Sequence, residues 1–331
     1  MERTVCAVSG ERSHRTDWFC AAKWGVMCHF LPSEPGCGQD GAGVTAEAWN
    51  RKVDGFDVER FAARLAQTGA RYFLMTVGQN TGHFCAPNAA YDEITGIRPT
   101  KCSRRDLMAD LAAALRARSV ALLAYLPANA PMSDPVAVER LGWRPARVDP
   151  VTQKRTYERL PGFQIKWQRV ICEWSQRWGQ AVKGWWIDGC YDPDVMYHYP
   201  DPPNFATFAA ALRAGNPDAI LGFNSGPPRL PLPVIDPEQD YTGGHSIGLG
   251  SLYASPRTRW VGHAQFHVLE YLGEKWGVGP SRFPDAFVAE YVKYITDWEG
   301  VVTLEVPIQS GGVIPDEFLR QLDAVGRRVN R

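Results

Sequence analysis

The sequence predicts an α/β fold, a (β/α)8 TIM-like barrel in a single domain, and three observations carry that expectation. Eight short runs rich in β-branched and aromatic residues recur along the chain, nearly continuous rather than alternating, as strands buried on both faces do. Several of the segments between them have helical periodicity, and strand–helix alternation implies parallel strands joined by right-handed crossovers. Eight such strands in 331 residues fit a closed barrel better than an open doubly wound sheet.

Taken in order, the strand runs are WGVMCHFL (24–31), RYFLMTVG (71–78), VALLAYLP (120–127) and VKGWWIDG (182–189), then AILGFNSG (219–226), the weak DYTGG (240–244), FHVLEYLG (266–273) and VVTLEVP (301–307). Between the first two, 57–69 is predicted helical, with Val58, Phe61, Ala62 and Leu65 on one face and Gly69 as its stop. The stretch 103–119 stacks Leu107, Leu111 and Leu115, with Ser103 as expected N-cap and Asp106 three residues on. Trp167, Val170, Ile171, Trp174 and Trp178 line one side of 163–179, and 204–215, 285–300 and 315–329 complete the helices. Long segments at 32–56, 79–102, 128–160, 190–203 and 245–262 hold most of the Gly, Pro, Asp and His, and in a barrel such loops build the active face. Residues 1–17 read as an N-terminal segment and 18–331 as the barrel.

Composition excludes several classes. Lys plus Arg and Asp plus Glu both number 36, so net charge points to neither a nucleic-acid nor a membrane partner. Eight cysteines lie scattered without CxxC or metal-type spacing, which reads as buried free thiols of a reduced compartment. The start, MERTVCAVSGERSHR, has no apolar core or cleavage site, and no run reaches transmembrane length, so a cytoplasmic location is expected. Twelve Trp and twelve Tyr suit sugar binding, and equally a large core; composition leaves the oligomeric state open.

Polar residues gather where the runs end: His29, Gln79 with Asn80, Tyr125, Asp188, Asn224, Asp240 with His245, Glu270 and Glu305. In a barrel these would converge on one concave pocket. Glycosidic cleavage needs two groups flanking a bond, one to attack the anomeric carbon or activate water and one to protonate the leaving oxygen. Asp188, ending GWWID, is the expected nucleophile, with Trp186 on its side of the strand and Trp185 and Ile187 facing the helices; capping of the following turn is the alternative role. For the proton donor three residues stay open: Glu270, Glu305 inside VTLEVP, and His245 in GGHSIGLG. His29, Gln79, Asn80, Tyr125, Trp186 and Asn224 would form the sugar pocket.

Other chemistries fit less well. HAQFHVLE places His263 and His267 four apart with Glu270 beyond, yet Ala264 stands where a metalloprotease carries its general-base Glu, so no metal is expected and a metal-assisted hydrolase is a rival. TGGHSIGLGS lacks the Lys-Ser/Thr of a phosphate loop, and no GxSxG elbow occurs.

These stretches resemble, in chain order, the α-L-fucosidase family of retaining glycoside hydrolases. AAKWGVMCHF resembles that family's first strand, ARYFLMTVGQNTGHF its second, and SRRDLMADLAAALRARSVALLAYL the following helix and strand. GWWIDG is similar to the WFDG stretch that carries the family's nucleophile, which falls on Asp188. QDYTGGH is similar to GDYxTPE, EYLGEKWG to a segment ending in SWGY, and EGVVTLEVPIQSGGVIPDEFLRQLDAVGR to GGNLLLNVGPxxDGxIP and the helix after it; together they cover about 18–328. The resemblance implies a (β/α)8-like catalytic domain, double displacement through an aspartyl glycosyl-enzyme, a sugar contact at His29, a carbohydrate substrate and no cofactor. Departures fall on the substrate side. Gln79 and Asn80 replace the family's paired His, His245 its GDYxTPE Glu, and Glu305 the Asn of LLLNVGP. A carbohydrate-binding protein of this fold without turnover is therefore the other reading.

Overall fold

The computed structural model describes residues 12, 14–33, 43–145, 147–148, 150–152, 155–156, 158–190, 197–226, 233–244 and 256–330. Every run read as a strand contains one. They are β1 (Trp24–Cys28), β2 (Tyr72–Thr76), β3 (Ala121–Pro127), β6 (Val182–Asp188), β7 (Ile220–Phe223), β8 (Tyr241–Thr242), β11 (His267–Tyr271) and β12 (Val301–Glu305). Four short strands were not anticipated: the hairpin β4 (Arg147–Val148) and β5 (Arg155–Thr156), and β9 (Trp260–Val261) with β10 (Ala264–Gln265).

The main sheet runs β11-β12-β1-β2-β3-β6-β7-β8-β10-β9, and all eight anticipated strands pair in parallel. Its order is open between β8 and β11. Across that seam Leu269 N–H donates to Gly244 O (2.8 Å), and the Thr242 hydroxyl bonds the backbone of His267 on both sides. The architecture is thus an α/β sheet curled into a barrel-like form, with helices on its outside.

Those helices are α1 (Asp17–Ala22), α2 (Ala46–Asp54), α3 (Val58–Thr68), α4 (Ala89–Thr95), α5 (Leu107–Arg116), α6 (Pro135–Leu141), α7 (Pro161–Trp178), α8 (Phe205–Leu212), α9 (Asp285–Thr296) and α10 (Asp316–Val329). Helix α5 begins later than its periodicity suggests. Its N-cap is Asp106, whose carboxylate accepts from Ala109 N–H, whereas Ser103, the expected cap, turns its hydroxyl to Arg105 O.

Two apolar layers follow from strand alternation. Met27, Leu74, Leu123, Tyr125, Trp186, Ile220, Tyr241 and Leu269 point inward, and Phe19 on α1 closes that inner cluster against Tyr72, Tyr241 and His267. Val26, Phe73, Trp185, Ile187, Val268 and Leu304 face outward into the helices. Trp185 and Trp186 therefore divide as alternation requires. Among the described residues no helix is long and apolar enough to cross a membrane, and the six described cysteines are free thiols.

Candidate active site

Asp188 ends β6, and its backbone is pinned by Ala128 N–H donating to its carbonyl (2.7 Å). Its carboxylate collects donors from three elements. Tyr125 O–H, from β3, donates to Oδ2 at 2.6 Å. Asn224 Nδ2, one residue past β7, donates to Oδ1 at 2.8 Å, and so does Gly189 N–H at 2.9 Å. Gly189 has φ +82°, and a Cβ there would sit 2.7 Å from Asn129 Oδ1, so the turn that delivers this N–H requires glycine. Asn224 is fixed in turn by its own N–H to Ile187 O and by Gly226 N–H to its Oδ1. Gln79 Nε2 donates to Tyr125 Oη (2.8 Å), which orients the phenol toward the carboxylate.

Asp188 is half-buried, as are Gln79 and Gly189, while Tyr125 and Asn224 are buried. Trp186 is also buried, stacked on Tyr125 at 5.2 Å, with its indole N–H on Gly243 O (2.8 Å). It supports the site from beneath and offers no open face to a sugar. Three acceptor-directed donors on a partly exposed carboxylate make a preorganised anion that can reach a ligand.

On the opposite side, His29 follows β1, and its Nδ1 lies 2.9 Å from Glu305 Oε1 at the end of β12. The His29 ring is edge-on to Tyr125 and to Trp276, each at 5.7 Å between centroids, and Trp276 packs on Tyr271. A cleft of about 530 Å³ opens on His29 and passes Ser33, Lys52, Gln309, Ser310 and Glu317. Asp188 does not line this cleft; the two meet through the His29–Tyr125 contact.

The structure brings Asp188, Tyr125, Asn224 and Gln79 into one hydrogen-bonded group, with Trp186 stacked on Tyr125 and His29 edge-on to it. Asn80 is partly exposed, and its backbone carbonyl accepts from Ser133 N–H. Asp240 takes hydrogen bonds from Arg213 (2.7 Å) and Leu221 N–H (2.9 Å), a structural role joining β7 to the end of α8. His245 lies outside the described residues. Glu270 is a correction: it shares the outward side of β11 with Val268 and Leu272, is fully buried, and meets Arg282 at 3.3 Å. Its charge also falls on Tyr291 of α9, so it faces the helices rather than the strand ends. Glu305 points inward, is fully buried, and meets His29 rather than an open surface.

His267 engages both ring nitrogens, Nδ1 with Thr242 O (2.9 Å) and Nε2 with Thr303 Oγ1 (2.7 Å), inside the inner core. Among the described residues no three His, Cys, Asp or Glu side chains come together as a metal site. Trp276, Tyr271 and the Gly189 N–H were missed. Two lie beyond or at a strand end inside the EYLGEKWG resemblance, and the third is backbone.

No protein-family model matches the sequence, and no curated protein matches it either. Solved structures do match. The endo-fucoidan hydrolase MfFcnA4 of glycoside hydrolase family 107 superposes with a TM-score of 0.69 at 15% identity, covering 94% of this chain and 53% of its own. The chain thus spans about half the length of that protein. The likeness is one of fold. That fold also covers the endo-fucoidan hydrolase P5AFcnA (TM-score 0.65, 15% identity, 96% of this chain and 94% of that one). The α-L-fucosidase AlfC from Lactobacillus casei, solved with α-L-fucose product, matches with TM-score 0.64 and 16% identity over 96% of this chain and 98% of that one.

Proposed function

We propose that this chain is a glycoside hydrolase acting on an α-L-fucoside or a stereochemically similar sugar by retaining double displacement. The observation that carries the reading is Asp188, a partly exposed carboxylate held at a strand end by Tyr125, Asn224 and Gly189. The names of the fold neighbours, fucoidan hydrolases and an α-L-fucosidase, point to the same glycone. In this reading the sheet derives from a (β/α)8 barrel in a single domain, with the β8–β11 seam as its thinnest joint.

Asp188 attacks the anomeric carbon, and the leaving oxygen takes a proton. Water, deprotonated by the same acid/base, then displaces Asp188 and restores the original anomeric configuration. Of the three candidate proton donors, Glu270 and Glu305 are fully buried, which leaves His245. It follows Gly244 directly, and the carbonyls of Gly243 and Gly244 are held by Trp186 beneath Asp188 and by Leu269. An imidazole has the proton affinity this role asks for. No cofactor enters the scheme.

A second reading, carbohydrate binding without turnover, draws on the burial of Glu270 and Glu305, the two carboxylates expected as proton donors. One experiment separates them. Wild type, Asp188→Gly and His245→Gln are assayed on an aryl α-L-fucoside, with and without azide. Hydrolysis by wild type, a roughly ten-thousandfold loss in Asp188→Gly, and azide recovery giving a fucosyl azide of inverted configuration are the expected results. Binding without turnover by wild type favours the second reading, and an Asp188→Gly enzyme as active as wild type removes Asp188 from the chemistry.

A further inference from the structure

Glu305 is an expensive residue for its position. It is fully buried, one oxygen meets His29 Nδ1 at 2.9 Å, and the other has no hydrogen-bond partner among the described residues. Carboxylates so placed cost stability unless their charge is used. Across the sheet it lies between Met27 of β1 and Tyr271 of β11, and its charge pushes the buried Cys28 thiol further up. The isosteric amide, Gln, would fill the same volume without a buried charge.

The difference between the two side chains is directional. An amide offers either an acceptor or a donor to an imidazole, so it tolerates both tautomers; an ionised carboxylate only accepts. With Nδ1–H donating to Glu305, the ring nitrogen left for a ligand is Nε2, on a residue that lines the 530 Å³ cleft. The ring itself is held edge-on between Tyr125 and Trp276.

We propose that Glu305 is a positioning residue that locks His29 as the Nδ1–H tautomer, so that Nε2 accepts a hydrogen bond from a hydroxyl of a bound pyranose. The inference rests on the glycone reading above for the identity of the ligand. Selection at this point is then for a sugar that presents a hydroxyl as donor; an ether or deoxy position there is refused, because Nε2 would be desolvated without a partner.

The test uses ¹⁵N-imidazole NMR, L-fucose calorimetry, aryl α-L-fucoside kinetics and thermal unfolding on wild type and Glu305→Gln, with His29→Asn to assign the resonance. Wild type is expected to show His29 protonated at Nδ1, and Glu305→Gln a mixed or Nε2–H ring. The variant's Kd and KM should rise roughly tenfold, with the loss falling more on KM than on kcat, while Tm stays level or rises. An unchanged tautomer, or an unchanged Kd, overturns the proposal. So does a fall in Tm with affinity intact, since that is what a purely structural carboxylate gives. If Glu305→Gln does not fold, Glu305→Asn gives the same readings. A wild type that binds no L-fucose sinks the glycone reading instead, and the tautomer comparison still decides whether Glu305 sets His29.

Discussion

Tyr125 is buried and carries two relations to the candidate nucleophile. Its O–H donates to Asp188 Oδ2, and its ring lies flat on Trp186. Tyr125→Phe keeps the stack and deletes the donor. Kinetics on an aryl α-L-fucoside should show kcat/KM down roughly ten- to hundredfold with the unfolding midpoint near wild type. An unchanged kcat/KM would mean that the phenol does not tune the carboxylate. The sequence showed that Asp188, Tyr125, Asn224 and Gln79 stand at strand ends. It did not show their connectivity, because a hydrogen bond between β3 and β6 depends on sheet order. Glu270 illustrates the complementary failure. A strand end is visible in FHVLEYLG, but which side of the strand a residue takes depends on a register of one, and Leu269 rather than Glu270 faces inward.

At the scale of elements, the strands accommodate large inner side chains by placing glycine opposite them. Tyr241 lies over Gly222, and a Cβ at that position would be 2.5 Å from its ring. The ring cannot retreat, since it is buried and its hydroxyl donates to Trp185 O (2.8 Å). Gly222→Ala should therefore cost about 1–3 kcal/mol, read as a lower denaturant midpoint at constant slope; a neutral result would show that β8 shifts freely. The eight strands were legible because continuous apolar runs are rare outside parallel sheets. Helices α2, α4 and α6 were not, being at most nine residues long and set in stretches taken as loops, and α1 is a six-residue helix ahead of the first strand run. The caps of α2, α4 and α6, namely Thr45, Asn88 and Asp134, are ordinary N-cap residues, but in helices this short little periodicity distinguishes such a cap from a turn.

At the scale of the whole molecule, the inner core carries a polar thread. His267 bonds Thr242 O and Thr303 Oγ1, and Tyr72 Oη reaches the same Thr303 oxygen at 2.7 Å. Burial holds the His267 imidazole neutral, bringing its pKa down from 6.5 to about 4. Between those values the unfolded chain binds the proton and the folded one does not. Stability from this group is thus complete above pH 6.5 and is lost as pH falls toward 4, by roughly 3 kcal/mol in all. Denaturant unfolding between pH 8 and 4 should show this acid loss in wild type and a smaller one in His267→Gln; equal slopes would assign it to other groups.

The order of the sheet also bears on how the chain is made. Trp24 pairs with Val302 and Met27 with Glu305, so β1 is flanked by β2 on one side and by β12 on the other. A ribosome delivers β1 (Trp24–Cys28) long before β12 (Val301–Glu305). Until β12 emerges, one edge of β1 lacks its native partner, an apolar strand with unpaired amides and carbonyls. His29 and Glu305 come together in that same pairing step, so the pair proposed to read the sugar forms only when β1 meets β12.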